Sequence, residues 1–139
     1  MNAAARFPYV LKQGGSGPLD MLPIVPVSLS HSTISLDVMT LIDSGASMSV
    51  LPYDVGLAFG MSWKLRPHSL FIGGAGGSVQ AKRLDLTAVV APFAPTSLTF
   101  AWVNTNNYPL VLGHANFLFK FDVFLSRRHS YFEIQPATP

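Results

Sequence analysis

Residues 41–52 read LIDSGASMSVLP. Asp43 stands between the apolar pair Leu41 and Ile42 and a turn of small residues, Ser44, Gly45 and Ala46, after which a second apolar run begins. A carboxylate there can give and take a proton, and how well it does so depends on surroundings that tune its pKa. Asp-Ser-Gly alone is an ordinary turn, because Asp and Ser bond locally to the backbone and Gly accepts positive φ. The flanks change that reading. With "LI" before and "SVL" after, both strands are expected to be buried, and a carboxylate between them needs hydrogen bonds or a partner. Gly45 lets another backbone approach closely, and the Ser44 hydroxyl can hold the turn. Of the seven acidic residues (Asp20, Asp37, Asp43, Asp54, Asp85, Asp122, Glu133), Asp43 is the one that ends an apolar strand and enters such a turn.

Other chemistries find less support. The chain has no cysteine, which removes disulfides, thiolate catalysis and Cys-ligated metal. His31, His68, His114 and His129 show no metal-ligand spacing and read as surface or loop residues. No metal and no cofactor is expected. "GGAGGS" lacks the phosphate-loop spacing and leads into a strand rather than a helix. "GASMS" lacks the last glycine of a serine-hydrolase elbow.

The elements that must position Asp43 are short strands. "IVPVSLS" (24–30) and "STISLDVMTLID" (32–43) alternate, with Ile34, Leu36, Val38 and Ile42 on one face. "SMSVLP" (47–52) is a short strand, and "PYDVGLAFG" (52–60) a short helix with Pro52 at its first position and Gly60 at its end. Residues 68–90 read as a hairpin with a glycine-rich tip at 73–77. Strands follow at 97–103, 109–113, 121–126 and 131–136, with a helical turn or two at 114–121. Residues 1–20 look irregular and 21–139 form a single domain. Many short strands and little helix predict an all-β barrel or sandwich with one or two short helices. Leu110, Val111 and Leu112 read as core, and Gly113 as the residue that lets its strand pass close behind the Asp43 turn. Lys82, Arg83, Arg127 and Arg128 read as solvated.

The chain resembles the retropepsin-like, single-domain aspartic proteases, and compact bacterial members most. The resemblance rests on three elements in order: "LIDSGASMSVLP", the glycine-rich hairpin "FIGGAGGSVQAKR" (71–83), and "PLVLGHANFLFKFDVFL" (109–125). It spans residues 23–135. It implies an all-β acid-protease barrel and peptide-bond hydrolysis with Asp43 as the catalytic group, framed by Ser44, Gly45 and Ala46. It makes Ile72, Gly73, Gly74, Ala75, Gly76 and Gly77 a substrate-covering flap, and Val111, Leu112 and Gly113 the supporting strand. Retroviral members carry Arg and Asp after the second glycine; here the residues are His114, Ala115 and Asn116.

That chemistry needs two carboxylates sharing one site, one ionised as base and one protonated as acid. This chain has one Asp-Ser-Gly, so the expectation is a homodimer that supplies Asp43 twice. Its substrate is an extended peptide or protein, bonded to the flap and beside Gly45. Ile72, Val111 and residues near Leu51 are the expected pocket walls. Phe117, Phe119, Phe121 and Phe124 are expected in the core or the dimer interface. The alternative is an inactive module of the same fold that binds peptides or mediates dimerisation.

Composition limits the remaining partners. Of 139 residues, 49% are hydrophobic and 12% charged, which excludes disorder. The net charge of +2 with no basic stripe implies no nucleic acid. The stretch from Leu86 to Phe119 lacks charge, but Pro92, Pro95, Asn104, Asn106, Asn107 and Pro109 interrupt it, so no membrane span is expected. MNAAARFPYV lacks the apolar core of a signal peptide, and the expected location is cytoplasmic.

Overall fold

The computed structural model describes residues 3–66, 69–74 and 77–139. Its first strands are β1 (Ala5–Pro8), β2 (Val10–Leu11), β3 (Met21–Leu22), β4 (Ile24–His31), β5 (Ile34–Ile42) and β6 (Ser49–Leu51). Helix α1 (Tyr53–Ala58) precedes β7 (Ser69–Gly74), β8 (Gly77–Val89), β9 (Thr96–Val103) and β10 (Val111–Leu112). The chain ends with β11 (Phe121–Ser126) and β12 (Tyr131–Pro136). Strands β4, β5, β10, β6, β9 and β8 neighbour one another in that order, and β8 pairs back onto β4 to close a 6-strand barrel. β7 extends the sheet outward from β8. The expected all-β barrel with little helix is therefore present.

Alternation along the strands builds two apolar clusters. On β9, Leu98, Phe100 and Trp102 face the main core while Ala101 and Val103 face a smaller cluster on the other side. β6 and β10 divide the same way: Leu51 and Leu112 enter the main core, Val50 and Val111 the smaller cluster. On β5, Thr40 shares the buried face with Ile42, and its hydroxyl donates to the Val25 carbonyl at 2.9 Å, so this buried polar group is satisfied. Helix α1 packs through Gly56 onto the Trp102 ring, and Trp102 Nε1 donates to the Tyr53 carbonyl at 3.0 Å. Tyr53 stacks on the same indole at 5.8 Å. Gly60, with φ +78, ends this helical segment as its position suggested.

Three expectations are corrected. Residues 1–20 are not irregular throughout: β1 pairs antiparallel with β12, Phe7 opposite Phe132, their rings stacked at 5.4 Å. Four residues are too few for a periodic signal, and the partner strand lies at the far end of the chain. Residues His114–Leu118 make one wide, irregular turn instead of a regular helix. Ala115 is extended and Asn116 has φ +71, because the backbone must first bond to the Asp43 turn and then carry Phe117 into the core. Lys82 is not solvated: it is 7% exposed, donates to the Trp63 carbonyl, and lies 4.9 Å from the Trp63 ring. Its four-carbon stem is apolar enough to line a core beside an aromatic face.

Candidate active site

β5 and β6 both border β10, β5 in parallel (Leu112 beside Ile42) and β6 antiparallel (Val111 beside Val50). The segment 43–48 that joins β5 to β6 must therefore cross over the end of β10. That crossing is tight. A Cβ on Gly113 would lie 2.6 Å from the Met48 carbonyl oxygen and 2.7 Å from that of Ala46. Both atoms are backbone, so only glycine fits without moving the turn.

Hydrogen bonds then pin the turn from below. The Asp43 N–H donates to the Leu112 carbonyl at 3.0 Å. The Gly113 N–H donates to Ser49 Oγ at 3.1 Å, that of His114 to the Ala46 carbonyl at 2.9 Å, and that of Ala115 to the Ser47 carbonyl at 2.8 Å. Within the turn, the Gly45 N–H donates to Asp43 Oδ1 at 2.9 Å, and the Ala46 N–H to the Asp43 carbonyl at 3.1 Å. The Asp43 carboxylate is half-buried rather than enclosed, with Oδ1 held by Gly45. Its orientation is set by the backbone, which resists thermal wandering better than a side-chain partner does.

One contact was not anticipated. His114 Nε2 lies 2.6 Å from the Ser44 carbonyl oxygen. A carbonyl only accepts, so the ring carries a proton on Nε2. The sequence reads His114 as a loop histidine; the signal available was its place directly after Gly113. The ring is exposed, yet it clamps the outer side of the turn opposite the β10 bonds.

Asp43 opens onto a cavity of about 290 Å³, lined by Leu41, Met48, Val50, Ile72, Tyr108 and Val111 along with the turn. Gly73 reaches the same cavity from β7. The walls are the smaller apolar cluster seen from its open side. Of the supporting strand, Val111 lines this cavity, Leu112 points into the main core, and Gly113 lies beneath the turn. Leu51 also belongs to the main core; its neighbour Val50 forms the wall instead, since successive side chains on a strand face opposite ways. Met48 and Tyr108 were missed: Tyr108 lies in no strand, and Met48, inside the strand expected at 47–52, precedes β6. β7 and β8 form the expected hairpin, with Gly74 opposite Gly77; Ala75 and Gly76 lie outside the described residues. Ser44 and Gly45 are exposed and Ala46 is half-buried.

Among the described residues no cluster of His, Cys, Asp or Glu is arranged to hold a metal ion, and no helix is long and apolar enough to cross a membrane. A larger concavity, about 680 Å³, lies between Phe93, Phe119, Phe121 and the last residues, and does not include Asp43.

Comparison with known proteins agrees with this architecture. Neither a protein-family description nor a curated protein matches the chain. A solved structure does: the retropepsin-like aspartic protease from Rickettsia conorii, at TM-score 0.63 and 13% identity, over 93% of this chain and 98% of that one. The chain has the fold of a retropepsin-like aspartic protease.

Proposed function

We propose that the protein is an aspartic endopeptidase acting as a homodimer, each copy supplying one Asp43. The observation that carries this reading is the pinned turn: a carboxylate oriented by backbone bonds at the mouth of an apolar cavity, faced by a glycine-rich hairpin. Two such carboxylates brought together cannot both ionise easily, so they titrate as a pair and hold one proton between them. The ionised member takes a proton from a water molecule, which attacks the scissile carbonyl. The protonated member donates to the carbonyl oxygen, and the resulting tetrahedral species collapses with a proton passed to the leaving amine. No covalent intermediate with the enzyme forms.

Each other residue has a place in this scheme. Ser44 and Gly45 hold and frame the acid, and the Ser44 hydroxyl reaches toward the partner copy. The β7–β8 hairpin closes over an extended peptide, which bonds to backbone beside Gly45 as an added strand. The apolar cavity receives a side chain of that peptide.

The test is cleavage of a mixed peptide library at mildly acidic pH by the natural chain and by Asp43→Asn, across protein concentrations. Cleavage by the natural chain alone, rising per chain with concentration, supports the reading. Cleavage that persists in Asp43→Asn refutes it. Peptide binding without cleavage by either chain moves the protein to a binding role.

A further inference from the structure

We propose that His114 tunes Asp43 through the Ser44–Gly45 peptide: its ring N–H polarises the Ser44 carbonyl, and the Gly45 N–H of the same peptide becomes a stronger donor to the carboxylate. His114 is then a positioning residue, since it acts on Asp43 only through that peptide. The catalytic consequence rests on the Asp43 reading above, whereas the relay itself is a property of the fold.

The geometry is a chain of two bonds through one amide. His114 Nε2 donates to the Ser44 carbonyl oxygen at 2.6 Å. The Gly45 N–H donates to Asp43 Oδ1 at 2.9 Å. That carbonyl and that N–H belong to one peptide unit, which is planar and trans, so they point to opposite sides. The ring and the carboxylate therefore sit at the two ends of a single conjugated group. A donor at the carbonyl draws electron density from the amide nitrogen, and hydrogen bonds in series strengthen one another. A bond donated to an ionised carboxylate favours the ionised form. The relay thus favours the charge on Asp43, and more so when the ring is itself charged. The coupling is reciprocal: an ionised Asp43 favours a protonated ring.

The backbone holds the ring in place for this. The His114 N–H donates to the Ala46 carbonyl at 2.9 Å, and the Ala115 N–H to the Ser47 carbonyl at 2.8 Å. One residue therefore grips two carbonyls of the same turn, Ser44 with its ring and Ala46 with its backbone. Few other charges compete. The segment His114–Leu118 packs against β6, β9 and β11. β6 and β9 carry no titratable residue, and β11 carries Asp122, which lines one concavity with Ser44. Lys120 donates to the Ser97 carbonyl. Among the described residues His114 makes no ion pair.

The relay can be read without any catalytic assay. The chain has two Ser-Gly pairs, 16–17 and 44–45. Carbon-13 at serine carbonyls with nitrogen-15 at glycine therefore yields two amide signals in NMR, and Ser16→Ala removes one. The Gly45 signal is expected to move with pH in step with the His114 ring resonance. That step should survive Asp43→Asn, whose amide oxygen still accepts, and Asp122→Asn. It should vanish in His114→Gln, which keeps a donor but cannot gain a charge. In peptide cleavage, the acid limb of the kcat/KM profile should move up by about a few tenths of a pH unit in His114→Gln, and further in His114→Leu, the size expected when bonds in series strengthen one another by about 10–30%. A histidine that merely staples the turn would instead change the rate equally at every pH, and His114→Gln would restore it. The inference is overturned if the Gly45 signal ignores the His114 ring, if its step persists in His114→Gln, or if Asp122→Asn abolishes it while the ring still titrates. Cleavage that depends on Asp43, with an unresponsive Gly45 signal, sinks the relay and leaves the proposed function standing. A responsive signal in a chain that cuts nothing does the reverse.

Discussion

Gly113→Ala tests the site most directly. The added methyl would sit 2.6 Å from the Met48 carbonyl oxygen, 2.7 Å from that of Ala46 and 2.8 Å from the Met48 carbonyl carbon. Relief cannot come from a side chain, since all three atoms are backbone. Either the turn lifts or β10 sinks, by more than half an ångström. Overpacking of this kind costs about 1–3 kcal/mol. Displacement also stretches the His114 N–H bond to Ala46 (2.9 Å) and the Ala115 N–H bond to Ser47 (2.8 Å), each contributing about 1 kcal/mol. The sum is about 3–5 kcal/mol, enough to lower Tm on the order of 10 °C or more while leaving a domain of ordinary stability, about 5–15 kcal/mol, largely folded. Activity should fall further than stability, since a carboxylate misplaced by about 1 Å loses on the order of 100-fold in rate. Thermal melts and peptide cleavage measured on Gly113→Ala and Gly45→Ala separate the two effects. A Cβ at Gly45 meets only Asp43 Oδ1, at 3.2 Å, an atom that can move, so stability there should change by less than about 1 kcal/mol. If Gly113→Ala melts within about 2 °C of the natural protein, the close passage beneath the turn is not real and the account of the site fails.

Further consequences can be checked by similar means. Ser49→Ala strands the buried Gly113 N–H, whose acceptor is Ser49 Oγ at 3.1 Å; urea titration should show a loss of about 1–3 kcal/mol, and Ser49→Thr should recover part of it. Gly56→Ala gains up to about 1 kcal/mol of helix propensity, but its methyl collides with the fully buried Trp102 ring; the expected net result is destabilisation, and a stabilised variant contradicts the packing of α1. Asp85 supplies a pH signal. Burial raises its carboxyl, but hydrogen bonds from Thr99 and Arg83 and the charges of Arg83 and Arg66 outweigh it and hold it below the usual range. A group with a lowered native pKa stabilises the fold above its unfolded pKa and loses that contribution as pH falls through the native value. The stability difference between the natural chain and Asp85→Asn should therefore be constant near neutrality and shrink below about pH 4; a difference unchanged down to pH 2 refutes the assignment.

Much of the architecture was legible from residue order. Alternation in 24–42 identified β4 and β5 because those strands separate a wet or half-covered face from a dry one, and that contrast is local. The Asp43 turn stood out for the same reason: small residues between two apolar runs. Gly113 was legible because only a close backbone approach requires that residue type behind a turn. The failures were of another kind. β1 has four residues, and what makes it a strand is β12, more than a hundred residues later. Lys82 looks like any other charged residue until the Trp63 ring is folded over it. Leu51 and Val50 are both apolar, and only the barrel decides which of them enters the core and which faces Asp43.

The sequence by itself determined which acid is unusual, which turn carries it, and the order of strands around it. These follow from local chemistry: backbone conformational freedom, side-chain alternation and the poor fit of a carboxylate to an apolar run. Tertiary structure alone decided that His114 reaches the Ser44 carbonyl, that Met48 and Tyr108 join the cavity wall, and that β11 pairs, among the described residues, with β12 alone. Each of these is a contact between segments distant along the chain. Such contacts depend on the closed barrel, whose register is set by all its strands together.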